Sequence, residues 1–182
     1  MAAPLSLIYL GSAIAFATLA AFHDVRERRI PNLLCGLGML IGLLLHLTLS
    51  GVVQCAWALC SGLLAGVIFL LFYLAGGMGA GDVKLISAVG CLAGIAFLKD
   101  ILLATVFTGA LCALVLATAR GRLRQTLGNV FTLLAHHQTA GLTAHPELNV
   151  ANRTMLRLPY AVPIAIGCFI AFALEISRGS AL

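Results

Sequence analysis

Six apolar runs, each near the length needed to cross a bilayer, leave this chain few folds to choose from. Hydrocarbon about 30 Å thick offers no water to peptide groups, so a crossing segment must satisfy its own N–H and C=O groups as a helix of roughly 20 residues. The runs are Pro4–Phe22, Leu33–Ser50, Ala56–Ala75, Val83–Leu98, Ile101–Ala119 and Leu158–Ile176. A composition of 62% hydrophobic and 9% charged residues lies outside the range of soluble domains and excludes a nucleic-acid-binding module. The expected fold is all-α: a polytopic membrane protein of about six transmembrane helices, forming one membrane-embedded domain over residues 1–182. The fourth run is the shortest, and its boundary with the fifth rests only on Lys99 and Asp100. The first run lacks the basic flank and small-residue cleavage site of a signal peptide, so it is read as a spanning helix.

Charge orients the chain. The loops after the odd-numbered runs carry Arg26, Arg28, Arg29, Lys84, Arg120, Arg122, Arg124, Arg153 and Arg157, whereas the opposite side receives only Lys99 and Arg178. The positive-inside rule then assigns the basic loops to the cytoplasm and both termini to the outside. Within the longest loop, residues 122–135 place Leu123, Leu127, Val130, Phe131 and Leu134 at helical spacing. This predicts an amphipathic cytoplasmic helix lying on the inner membrane surface, interrupted by Gly128. The following segment, AHHQTAGLTAHPELN, reads as a polar loop whose His136, His137 and His145 are solvated rather than metal ligands. The six cysteines lie mostly inside apolar runs without CxxC spacing and read as small buried side chains. Gly38/Gly42, Gly62/Gly66 and Gly90/Gly94 recur four apart and predict close helix packing in lipid.

Only six acids occur: Asp24, Glu27, Asp82, Asp100, Glu147 and Glu175. Asp24 follows the first run and Asp82 opens the fourth, so both fall at the cytoplasmic boundary, where a carboxylate is costly and reads as functional by default. Two structural readings stand beside that one. Asp82 is placed to cap the helix that follows it. Asp24, at a helix C-terminal end where the dipole disfavours it, leans on Arg26, Arg28 or water. Two carboxylates close enough to share a proton split their titration, so that one is ionised while the other stays protonated. The pair then activates water and protonates a developing oxyanion, which is aspartyl-protease chemistry. Residues 76–85, GGMGAGDVKL, supply the rest. Gly76, Gly77, Gly79 and Gly81 permit a tight entry into the fourth helix and room for an extended peptide beside Asp82. A phosphate cradle is excluded because no GK[ST] follows the glycines and no strand precedes them.

The GxGD core Gly79-Ala80-Gly81-Asp82 resembles the second active-site motif of the type IV prepilin peptidases. DVRERRIPNLL, 24–34, is similar to the motif carrying their first aspartate, and RLPYAVPIAIG, 157–167, to their last-helix signature. The resemblance implies that Asp24 and Asp82 are the catalytic pair, with Gly79 and Gly81 shaping the loop. It implies the short form of the family that serves Flp-type, tight-adherence pili, without the CxxC-bearing N-terminal domain and without methyltransferase activity. The implied partner is a small prepilin with a short basic leader, cut at the cytoplasmic face of a bacterial inner membrane. No cofactor or metal is expected, and the lipid bilayer is the other partner.

Lys84 keeps two readings, a snorkelling inner-face anchor or electrostatic support for an ionised aspartate. Pro31 and Asn32 open the second helix, and Asn32 is also placed to bond the dyad region. Arg26, Arg28 and Arg29 read as topology determinants. The rival functions are a non-catalytic scaffold for pilus assembly and a small proton-coupled transporter. The transporter reading is weakened because His46 is the only ionisable residue expected deep within an apolar run.

Overall fold

The computed structural model describes residues 3–141, 143, 148 and 159–179. Their regular elements are all helical: α1 (Ala3–Glu27), α2 (Asn32–Ser50), α3 (Val52–Leu74), α4 (Ala80–Ala93), α5 (Ile95–Ala119), α6 (Leu123–Ala140) and α7 (Ala161–Gly179). Five of them, α1, α2, α3, α5 and α7, are long and apolar enough to cross a membrane. The chain is therefore a polytopic all-α membrane protein. At 1.5 Å per residue the 14 residues of α4 rise only about 21 Å, short of a full crossing.

The short helix is the axis of the fold. It packs against α2 and α3 most extensively, and also against α1, α5 and α7. Every residue from Ala88 to Ala93 is buried, together with Leu85 and Ile86. A helix apolar all round belongs inside, and small residues let its neighbours close on it. A Cβ on Gly42 of α2 would stand 2.6 Å from the Cys91 carbonyl carbon, and one on Gly90 would stand 2.9 Å from the Gly62 Cα of α3. Gly66 meets Ser87 and Gly167 of α7 meets Thr105 of α5 in the same way. With no hydrophobic drive between helices in lipid, such backbone approaches carry the association.

The helices alternate between two ends. At the near end α1 finishes and α2, α4 and α7 begin; at the far end α2 turns into α3 through Gly51 at φ +85°. Tyr9 ties α1 to the far end, its hydroxyl 2.8 Å from Ser50 Oγ and its ring stacked on His46 at 3.9 Å between centroids. His46 is buried, with Nε2 3.2 Å from the Leu92 carbonyl oxygen.

The boundary between the fourth and fifth helices is not where the charges suggested. It falls at Gly94, whose φ of +79° stops α4, and a Cβ there would strike the His46 ring at 2.9 Å. Lys99 and Asp100 consequently lie inside α5. Asp100 Oδ2 accepts a hydrogen bond of 2.7 Å from Arg178 Nη1 of α7, so this acid is neutralised across the helix pair. His46 is thus not the only ionisable group within an apolar span. The physical reason is that one glycine with a positive φ and no room for a side chain breaks a helix more decisively than two charged residues, which α5 carries on its sides.

α5 is also displaced along the bundle. Gly109 packs against Tyr160, at the start of α7, and α5 then continues to Ala119, about 15 Å further. Leu111, Leu114 and Val115 on that extension are exposed and apolar. The predicted amphipathic helix is present as α6 but runs to Ala140, so His136 and His137 belong to its last turns and not to a loop. Thr139 and Thr132 satisfy themselves by donating to carbonyls one turn back. His145, Glu147, Arg153 and Arg157 lie outside the described residues.

Candidate functional site

Asp24 sits one turn before the end of α1, where its own helix dipole is unfavourable. The fold compensates from another helix. The backbone N–H of Ala161, first residue of α7, favours the charged form of the Asp24 carboxyl, bringing the positive end of that dipole toward it. Arg28 adds a second favourable charge. Arg28 has φ +53° and its N–H bonds the Asp24 carbonyl at 2.8 Å, closing α1 and holding its side chain near the acid. One carboxyl oxygen, Asp24 Oδ2, remains buried with no protein partner among the described residues.

Asp82 lies in the first turn of α4. Its Oδ2 accepts the Gly79 N–H at 3.1 Å, and its own N–H donates to the Gly79 carbonyl at 3.1 Å. The capping reading of Asp82 is therefore correct as far as it goes: one oxygen closes the turn and fixes the side chain, leaving Oδ1 for other work. Asp82 feels the Asp24 charge, after burial and the Gly79 N–H, so the two acids act on one region of the near end. Two carboxyls share a proton when they come within hydrogen-bond distance, and can then pass it to and from a bound reactant.

The four loop glycines do different jobs. Only Gly76 has a positive φ, +78°, and it turns the chain out of α3 with its N–H on the Tyr73 carbonyl at 2.9 Å. Gly79 is extended, φ −88° and ψ 156°; a Cβ there would lie 3.4 Å from Asp82 Oδ2, against the carboxyl. At Gly81 a Cβ would meet Ile30 at ordinary contact, 3.6 Å. Of the four, Gly76 alone uses the positive φ that glycine permits, Gly79 is extended, and Gly81 already lies in the first turn of α4.

Lys84 and Asn32 meet each other. Lys84 Nζ donates to Asn32 Oδ1 at 2.9 Å, fastening the start of α4 to the start of α2 at the exposed rim. Asn32 bonds Lys84, whose charge acts on the same buried neighbour, Cys35, as that of Asp82. Pro31 precedes α2 at φ −61°, as its ring dictates.

Two contributors escaped the sequence reading. The first is the Ala161 N–H, invisible because a backbone donor has no residue signature; Pro159 and Pro163 flanking it are the only hint of a helix start. The second is Tyr160. Its ring fills the space left by Gly109, the hydroxyl 3.4 Å from the position a Cβ would take. Burial and then the Asp82 charge push its phenol above the ordinary value, so it stays neutral.

The sequence model of the type IV leader peptidase family matches residues 12–115, more than half of the chain. That stretch includes both acids, Asn32, the glycine loop and Lys84; Tyr160 and α7 lie beyond it. No curated protein and no solved structure matches the chain.

Proposed function

The chain belongs to the type IV leader peptidase family, and we propose that it is an aspartic endopeptidase that removes the leader of a prepilin-like membrane protein with water activated between Asp24 and Asp82. Two observations support the reading: the Asp24 charge acts on Asp82 from a separate helix, and one Asp24 oxygen is buried without a partner among the described residues. In the proposed reaction the ionised member of the dyad takes a proton from water as its oxygen adds to the scissile carbonyl carbon. The protonated member donates to the carbonyl oxygen. Collapse of the tetrahedral adduct breaks the C–N bond, and the proton taken from water leaves with the amine. The dyad returns to one shared proton, and no oxidant or metal enters the balance.

The substrate proposed is a Flp-type prepilin with a short basic leader, met at the cytoplasmic face of a bacterial inner membrane. The near end supports this because Arg26, Arg28, Arg29 and Lys84 gather there. Gly79 and Gly81 are assigned to the shape of the peptide-binding strand beside Asp82, and Lys84 with Asn32 to its support. The product is expected to carry an unmodified amino terminus, without methyl transfer.

The test is purified protein in detergent micelles with such a prepilin, the products weighed by mass spectrometry. A single cut between leader and apolar helix, unaffected by EDTA, is expected. A substrate left whole here but cleaved by an established family member in the same micelles overturns the proposal.

A further expectation concerns the rim. Asn32→Ala and Lys84→Ala should each lower the cleavage rate by a similar amount, roughly 2- to 12-fold for one hydrogen bond worth about 0.5–1.5 kcal/mol. The double variant should be no slower than either, because both remove one contact. Additive losses in that cycle would mean that the two side chains act separately.

A further inference from the structure

Between α3 and α5, on the side of the bundle away from α1, runs an open groove of about 320 Å³ lined by Leu64, Ile95, Leu98, Lys99, Leu102 and Leu103. Its walls are apolar apart from Lys99, which is exposed. The neighbouring acid, Asp100, is already held by Arg178 at 2.7 Å, and among the described residues no carboxylate pairs with Lys99. An ionised side chain facing lipid inside a span is costly, and its default reading is functional with a partner to be named.

The helix lengths say where that partner comes from. From Asn32 to Ser50 α2 rises about 27 Å, whereas Lys99 lies ten residues, about 15 Å, above the Gly109 level of the near end. Because α4 stops at Gly94, the tops of α4 and α5 form a notch below the turn joining α2 and α3. Trp57, half exposed at the notch, is the kind of side chain that settles among headgroups. From Lys99 the groove continues past Leu102 and Leu103 toward the near end, the direction an acyl chain takes from a headgroup held at Lys99.

We infer that this groove binds one anionic phospholipid of the leaflet opposite the dyad, its phosphate on Lys99 and one acyl chain along Leu64, Leu98 and Leu102. Charge complementarity selects the lipid. Lysine recognises phosphate as a point charge, and a zwitterionic headgroup gains less from it. The bound lipid covers the seam between α3 and α5, which meet far less extensively than α3 and α4.

Native mass spectrometry of the full chain released from micelles containing equal phosphatidylglycerol and phosphatidylcholine reads this directly. One phosphatidylglycerol adduct is expected to survive collisional activation, preferred by about fivefold, as one lysine near a phosphate provides. Lys99→Gln should abolish the preference and Lys99→Arg should keep it. If Lys99→Gln fails to fold, Leu103→Trp, which fills the groove and leaves the charge, should remove the adduct instead. Equal retention of the two lipids overturns the inference, as does a preference untouched by Lys99→Gln in folded protein. A photoreactive side chain at Leu103 should label the lipid; labelling of a second copy or of a protein substrate would assign the groove to that occupant.

Discussion

Asp82→Asn and Asp24→Asn are each expected to reduce prepilin cleavage by about a thousandfold or more, with the double variant little worse than either single one. Members of a catalytic unit behave this way because removing one makes the rest of the machinery idle. Asparagine is close to isosteric, and it isolates the chemistry from the packing. In Asp82→Asn the amide oxygen can still accept the Gly79 N–H that now closes the turn at 3.1 Å, so α4 should start where it does in the parent. In Asp24→Asn the amide oxygen can still face the Ala161 N–H. Both variants should therefore keep the parent's melting temperature in detergent within a few degrees while losing turnover. Substantial cleavage by either folded variant would reduce that acid to a structural role, and the scaffold reading of the near end would regain its place.

Gly42→Val and Gly90→Val are expected to give the largest losses of stability. A first added carbon at Gly42 lies 2.6 Å from the Cys91 backbone, and at Gly90 it lies 2.9 Å from the Gly62 Cα. Backbone cannot rotate aside as a side chain can. Inserting carbon into such a contact costs about 1–3 kcal/mol in a well-packed core, and valine adds two methyls more. Thermal melts in detergent should show both variants well below the parent. Gly128→Ala on α6, where nothing lies within 4 Å, serves as the control and should be neutral or slightly stabilising. Equal melting of all three would mean that the α2–α4 and α3–α4 approaches are looser than described.

The features legible in the sequence were those with few competing explanations. Asp24 and Asp82 stand out because a chain with 9% charged residues places acids at span boundaries rarely. Long apolar runs announce α1, α2, α3, α5 and α7 because hydrocarbon thickness fixes their length. The start of α2 follows from Pro31, which cannot donate to a preceding turn. Gly94 was harder. In VGCLAGIAF it looks like one more small packing residue, and only its contact with His46, distant in sequence, shows that it must end α4. The Ala161 N–H that meets Asp24 was illegible for a different reason: it is a property of where α7 begins. The extension of α6 through His136 and His137 shows histidines accepted in a surface helix, where side-chain polarity did not decide backbone conformation.

The length of α5 has one more effect. Its last ten residues rise past the acids with Leu111, Leu114 and Val115 turned outward, and these seek oil. Across the axis, Arg26, Arg28, Arg29 and Lys84 stand at the rim near the acids and seek water. One flat interface does not suit both flanks, so a bilayer that follows these side chains slopes over the molecule, high against α5 and low against α2. A helical guest lying on the low flank would have its junction bathed by water while its own greasy stretch stayed submerged. On the proposed reading, hydrolysis beneath the average plane of the membrane would need no sealed channel, only this local shoreline.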